Sequence, residues 1–227
     1  MNQLAKLIQG AKEKAENAEK KVPENKKKKN EEQSVQLVAQ HVFPLNKSQT
    51  KHVWIALSAN HLFSPIVKIS GVKNQSILFN EDEWAAFVDQ QGVLTHYFYS
   101  TDPICQPIKV NSKVIEFITI HERKVIRIYD DRSYEVYLGW ESVMELWNKL
   151  DVIKYRLKCL SSEEFGHFYG NLITGVADMS GDYKINIMNV LEPLMAINCN
   201  NAAVMLEVLV SLPGKVELDV EVAKVFK

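Results

Sequence analysis

The sequence predicts an α+β protein: two tandem antiparallel β-β-β(β)-α units related by a pseudo-two-fold, followed by a helical C-terminal extension. Three observations predict it. Short apolar runs of strand length, rich in β-branched and aromatic residues, alternate with turn signals between residues 35 and 138. Each set of runs leads into a segment with apolar residues at helical spacing. The pattern over residues 53–91 then returns over 112–150, offset by 59 positions, in residue class and register rather than identity: across 66–80 only Ile69 and Ile128 are the same.

Residues 1–33 read as a basic arm. Leu4, Leu7 and Ile8, then Ala11, Ala15 and Ala18 among Lys and Glu, predict a short amphipathic helix that Pro23 ends. The polar stretch from Glu24 to Gln33, with Lys26 to Lys29 in a row, has the composition of a solvated linker and the charge of a nuclear-import or phosphate-binding tail.

Residues 34–160 carry the duplicated core, in units at 35–92 and 104–158. The first unit has strand-like runs at 35–39, 53–57, 66–69 and 76–79, with a turn expected at Ser70-Gly71. Asn80-Glu81-Asp82-Glu83 starts a helix: Asn80 caps, Glu83 completes a capping box, and the carboxylates suit the positive end of the helix dipole. Trp84, Phe87 and Val88 supply its apolar stripe, and Gly92 is its expected end. The second unit has runs at 104–110, 114–120, 125–128 and 136–138, then Val143, Leu146 and Trp147 in the places of Trp84, Phe87 and Val88. Val152, Tyr155 and Leu160 prolong that helix. Residues 161–227 are expected to add helices at 163–176, 185–195 and 201–212. The alternating run Val216 to Val222 has the period of an edge strand able to pair within the chain or with a second copy.

Composition narrows the function classes. The net charge of −1 hides a gradient: nine basic against six acidic residues over 1–33, fourteen against thirteen over 34–160, and four against nine over 161–227. That balance excludes a uniformly basic duplex-DNA coat, so any nucleic-acid contact has to come from local clusters. No apolar run reaches the length of a membrane span, and the first residues lack the basic-then-apolar order of a secretory signal. An intracellular protein, nuclear or cytoplasmic, is expected. Cys105, Cys159 and Cys199 are too few and too scattered for a disulfide framework and read as buried thiols.

Strand alternation selects the side chains available for chemistry. If Val67, Ile69, Ile77 and Phe79 face the helix, then Lys68, Ser76 and Leu78 face outward, as do Arg127, Tyr129, Glu135 and Tyr137 in the second unit. Cations among aromatics suit single-stranded nucleic acid, whose phosphates need positive charge and whose unstacked bases need flat π surfaces. Lys68, Lys73, Arg127 and Arg132 are the expected phosphate contacts. Lys109, Lys113, Arg123 and Lys124 add charge to the second unit, and Trp54, Tyr129 and Tyr137 are the expected stacking platforms. The same residues on an outer sheet face also serve plain solubility, with Asp130, Asp131 and Glu135 among them.

Two antiparallel units, each entering one helix through an Asn or Gly cap and an acidic turn, resemble the Whirly family and the related single-stranded-DNA-binding transcriptional coactivators. The resemblance covers about residues 35–158. It implies a saddle of two sheets backed by crossing helices and presenting bases to aromatic and basic side chains. Partners are then single-stranded DNA or RNA and further copies of the chain, with no membrane contact.

Enzyme signals are lacking: the sequence has no glycine-rich phosphate loop, nucleophile elbow or His-Glu zinc helix, and its six histidines are scattered. A non-enzymatic protein without cofactor or metal is expected. Glu116, Asp130, Asp131 and Glu135 are the weaker alternative, as carboxylates of a metal-dependent nuclease. A structural or assembly protein, such as a viral nucleocapsid-like or matrix-like subunit, is the stronger rival.

Overall fold

The computed structural model describes residues 36–101, 105–132, 134–162, 165–177, 179–195 and 199–211. The arm at 1–33 and the run Val216 to Val222 lie outside the described residues. The first sheet comprises β1 (Leu37–Pro44), β2 (His52–Ser58), β3 (Ser64–Ser70) and β4 (Ser76–Phe79), paired antiparallel in that order. Two helices follow it, α1 (Glu81–Val88) and α2 (Gln91–Tyr99). The second sheet, β5 (Ile108–Val110), β6 (Lys113–Ile120), β7 (Arg123–Asp130) and β8 (Glu135–Gly139), has the same order and is followed by α3 (Trp140–Trp147) and α4 (Leu150–Ser162). Three helices complete the extension: α5 (Phe165–Ala177), α6 (Tyr183–Met195) and α7 (Cys199–Ser211).

The duplication is legible in the register. The helices α1 and α3, and likewise the starts of α2 and α4, are displaced by the expected 59 positions (81 to 140, 91 to 150). The upstream strands are not. Val53 pairs with Ile69 and Ile115 with Ile128, so β6 matches β2 at a displacement of 62 positions (53 to 115). The connection 59–63, which carries a 3-10 turn at Ala59–His61, is three residues longer than its counterpart 121–122. That short counterpart is a tight hairpin, His121 and Glu122 both at positive φ (48° and 62°), the conformation whose twist suits flanking strands.

Each helix forms where its local chemistry starts it. Asn80 and Glu83 make the reciprocal capping box at α1: the Asn80 side chain accepts from the Glu83 N–H at 2.8 Å, and Glu83 accepts from the Asn80 N–H at 3.0 Å. Gly92 does not end the helical segment. The chain breaks at Asp89-Gln90 and restarts, leaving Gly92 in the first turn of α2 with open space where a Cβ would sit. The restart is stabilised from the other unit, because the Tyr97 hydroxyl donates to the Ile118 carbonyl at 2.6 Å and its ring packs on Phe117 at 4.8 Å.

That packing is reciprocal: α2 lies on the second sheet, while α4 lies on β2 and β3 of the first. Leu94 and Ile153, equivalent positions 59 apart, are both fully buried. At the centre Phe87 of α1 meets Trp147 of α3 at 5.7 Å, and Phe79 and Trp84 stack around Phe87 at 5.2 and 5.6 Å. The inner faces of both sheets therefore share one core, as a two-fold exchange of helices requires.

The extension builds a second core on the far end of the first sheet, where Val38, Leu57 and Phe63 pack with Phe165, Leu172, Ile187 and Met205. It also settles the edge strand. β1 bulges between Val38 and His41, with Ala39 at φ 53°, and the Ala39 N–H donates to the Glu207 carboxylate of α7 at 2.6 Å. Cys105 and Cys159 are half-buried rather than fully buried.

Candidate nucleic-acid interface

The inner faces of the strands are sealed in the core, so the outer faces are the surfaces the sheets can offer. Register sets two rows on the first sheet. Val42, Trp54, Lys68 and Leu78 lie side by side across all four strands, and Pro44, His52, Ser70 and Ser76 form the next row. Trp54 is half-buried, and its indole Nε1–H donates to Ser70 Oγ at 2.9 Å, which fixes the plane of the ring. The Lys68 ammonium stands 5.9 Å from the ring centroid. Burial pushes the Lys68 pKa below the usual lysine value. Among the described residues no carboxylate lies within ion-pair distance of it.

The equivalent row of the second sheet has Glu116, Arg127 and Tyr137 in the places of Trp54, Lys68 and Leu78. The cation recurs, but its surroundings invert its role. Arg127 donates to Glu135 at 2.9 and 2.7 Å and to Glu116 at 3.2 Å, and stacks over Tyr129 at 4.5 Å and Tyr137 at 5.9 Å. The Glu135 hydrogen bond is the main influence holding its pKa above the usual arginine value. Two carboxylates around one guanidinium leave this cluster net negative. Arg127 is thus an internal counter-ion rather than the phosphate contact its sequence position predicts. Tyr129 and Tyr137 hold their rings against Arg127 in the same cluster.

Two other expected contacts are corrected by burial and bonding. Lys113 is 4% exposed, pairs with Glu83 at 2.6 Å and lies over the Phe79 ring, so it locks the start of β6 to the N-terminus of α1. Lys124 donates to the carbonyls of Tyr97, Phe98 and Ser100, acting as the cation at the C-terminal end of α2. Neither has a free ammonium to offer.

The remaining basic residues stay on the surface. Lys73 is exposed at the β3–β4 tip, whose turn is at Val72 to Gln75 rather than Ser70-Gly71, with Lys73 and Asn74 at φ 55° and 64°. Arg132 is exposed at the β7–β8 tip, beside Asp131 and with its N–H bonded to Asp130. Lys109 and Arg123 are exposed on β5 and at the start of β7. Three of the four carboxylates considered for metal binding are occupied: Glu116 and Glu135 bind Arg127, and Asp130 accepts the N–H groups of Arg132 and Tyr134. Asp131 is exposed beside Arg132. No group of three metal-ligating side chains gathers among the described residues.

One feature has no sequence signal. The β3–β4 tip folds across to β8, bringing Gly71 close to Val136 and leaving a cleft of about 480 Å³ lined by Lys51, Val72, Gln75, Ile120, Glu135 and Tyr137. Burial lowers the Lys51 pKa, and Glu141 opposes the shift.

No described helix is long and apolar enough to cross a membrane. No protein-family model matches the chain, and no curated protein matches it either.

Proposed function

We propose that the chain is a non-enzymatic, sequence-tolerant single-stranded nucleic-acid-binding protein, acting in replication, transcription or genome handling inside the cell, with the outer face of the first sheet as its binding surface. The observation that carries this reading is the Trp54–Lys68 pair. A ring held in plane by Ser70 supplies a stacking platform, and an ammonium with no acidic partner among the described residues lies across it on the adjacent strand. Base–aromatic stacking is tolerant of sequence because every base has a π face, and the phosphate term adds a salt-dependent attraction. The duplicated sheets with exchanged helices support the resemblance to Whirly proteins at the level of architecture.

An electrophoretic shift comparing single-stranded DNA, single-stranded RNA and duplex at two salt concentrations tests the reading. Single strands are expected to bind more tightly than duplex, with affinity falling as salt rises. Salt-insensitive or absent binding would sink it.

A second reading, homotypic assembly, is favoured by apolar side chains left on the extension: Ile185 and Val210 are 61% and 86% exposed, with exposed Met188 and Leu206 one helical turn away from them. Light scattering after size-exclusion chromatography separates the two. Large assemblies indifferent to oligonucleotide support assembly, whereas a discrete species that binds the strand supports the first reading.

A further inference from the structure

Register lays out the outer face of the second sheet in three rows. Lys109, Val114, Tyr129 and Glu135 form the first, Glu116, Arg127 and Tyr137 the second, and Ile118, Val125 and Gly139 the third. Lys109 is exposed and the others are half-buried. In the first sheet the places of Ile118 and Val125 are taken by Ala56 and Ile66, both buried within the chain, whereas in the second this row stays open. Tyrosine and arginine among aliphatic residues make the composition of an interface centre. Charge is tolerated there when it is already paired, and Arg127 meets that condition through Glu116 and Glu135. Lys109, at the opposite end of its row from Glu135, has no acidic partner among the described residues.

A two-fold axis parallel to the strands, placed between two such faces, reverses the strand order. β5 of one copy then lies over β8 of the other, and β6 over β7, in layers about 10 Å apart. The pattern of the rows is self-complementary under that operation. Lys109 falls over Glu135 of the second copy, Glu116 over Arg127, Val114 over Tyr129 and Ile118 over Val125. The Arg127 cluster, with one carboxylate in excess, receives the cation it lacks from Lys109 of the second copy.

We infer that the protein pairs with a second copy of itself through the outer faces of the two second sheets. None of the first-sheet residues that carry the strand-binding reading takes part, so the pairing stands or falls apart from that reading. The contact also lies away from Ile185 and Val210 of the extension.

Analytical ultracentrifugation of the full chain without oligonucleotide, over a dilution series, tests the pairing. Carbodiimide cross-linking of a mixture of unlabelled and isotope-labelled chains locates it. A reversible dimer is expected, with mixed-label cross-linked peptides joining Lys109 to Glu135. Lys109→Glu, at an exposed position of a short edge strand, is expected to raise the dimer dissociation constant about tenfold, because the two-fold counts each reversed contact twice. Ile118→Lys is expected to do the same by setting an ammonium against Val125 of the second copy, and Val210→Lys to change nothing. Circular dichroism reports whether each variant is folded; should Ile118→Lys unfold, Lys109→Glu and the cross-link decide. A monomer at every concentration, a dimer that Lys109→Glu leaves unchanged, or mixed-label cross-links that do not include Lys109 with Glu135 overturn the pairing.

Discussion

Replacing Lys113 by Met separates structural from functional charge in this protein. Lys113 is 4% exposed and its ammonium lies 2.6 Å from Glu83 Oε2, a carboxylate itself only 13% exposed. Removing the cation leaves Glu83 buried with two of its partners, the Asn80 N–H and the Ser112 hydroxyl. Breaking one side of a buried pair costs about 3–5 kcal/mol, and the two surviving hydrogen bonds place this case near the lower end. The Met side chain fills the stem of the lysine over Phe79, so little of the loss is cavity. Urea denaturation at pH 7, followed by fluorescence of the four tryptophans, measures it. Glu83→Gln together with Lys113→Met is expected to cost less than the sum of the single variants, since neither charge is then left alone. Binding to single-stranded DNA is expected to keep its salt slope, because the ammonium reaches no ligand. A loss of less than about 1 kcal/mol, or a flattened salt slope, would refute the assignment of Lys113 to the interior.

The remaining expectations concern binding, acid stability and the helix exchange. Lys68→Ala is expected to reduce the slope of log affinity against log salt by about 1, and Trp54→Ala to weaken binding by about 1–3 kcal/mol; Arg127→Ala is expected to weaken it less than either, and a larger effect from Arg127 would reverse the ranking of the two sheets. Burial pushes the Glu83 carboxyl up, but hydrogen bonds from Lys113, Ser112 and the Asn80 N–H outweigh it and hold its pKa below the ordinary value of 4.5. Its contribution is therefore complete above that value and is lost as pH falls through the depressed folded value, so melts across this acid window should fall less steeply in Glu83→Gln than in the wild type. Leu94→Ala and Ile153→Ala, each opening a fully buried site, are expected to cost about 2–5 kcal/mol and to be similar to one another; a large cost at one and none at the other in urea denaturation would contradict reciprocal packing.

The elements whose signals are local were legible. Asn80 and Glu83 announce α1 because a capping box is complete within four residues, and the alternation of β3 and β7 places Lys68 and Arg127 outward because a strand has a period of two. α2 was hidden because Gly92 resembles a terminus and because the reward for Leu94 and Tyr97 comes from the other unit. The candidate site divides the same way. Trp54 and Lys68 were visible as an aromatic and a cation on adjacent strands, but Lys113 and Lys124 are indistinguishable in sequence from surface lysines until their partners at Glu83 and the end of α2 are in place.

By itself the sequence determined that this protein is α+β, that its sheet-and-helix unit occurs twice, and which side of each strand is apolar. These follow from periodicity, capping and turn chemistry, which act within a few residues. Only the tertiary structure decided which cations are available: Lys68 lies over Trp54 with no acidic partner among the described residues, while its equivalent Arg127 is enclosed by Glu116 and Glu135 from the neighbouring strands. The reason is range. A side chain's charge is carried in the sequence, but its neutralisation depends on groups brought within about 4 Å by strand register and helix exchange.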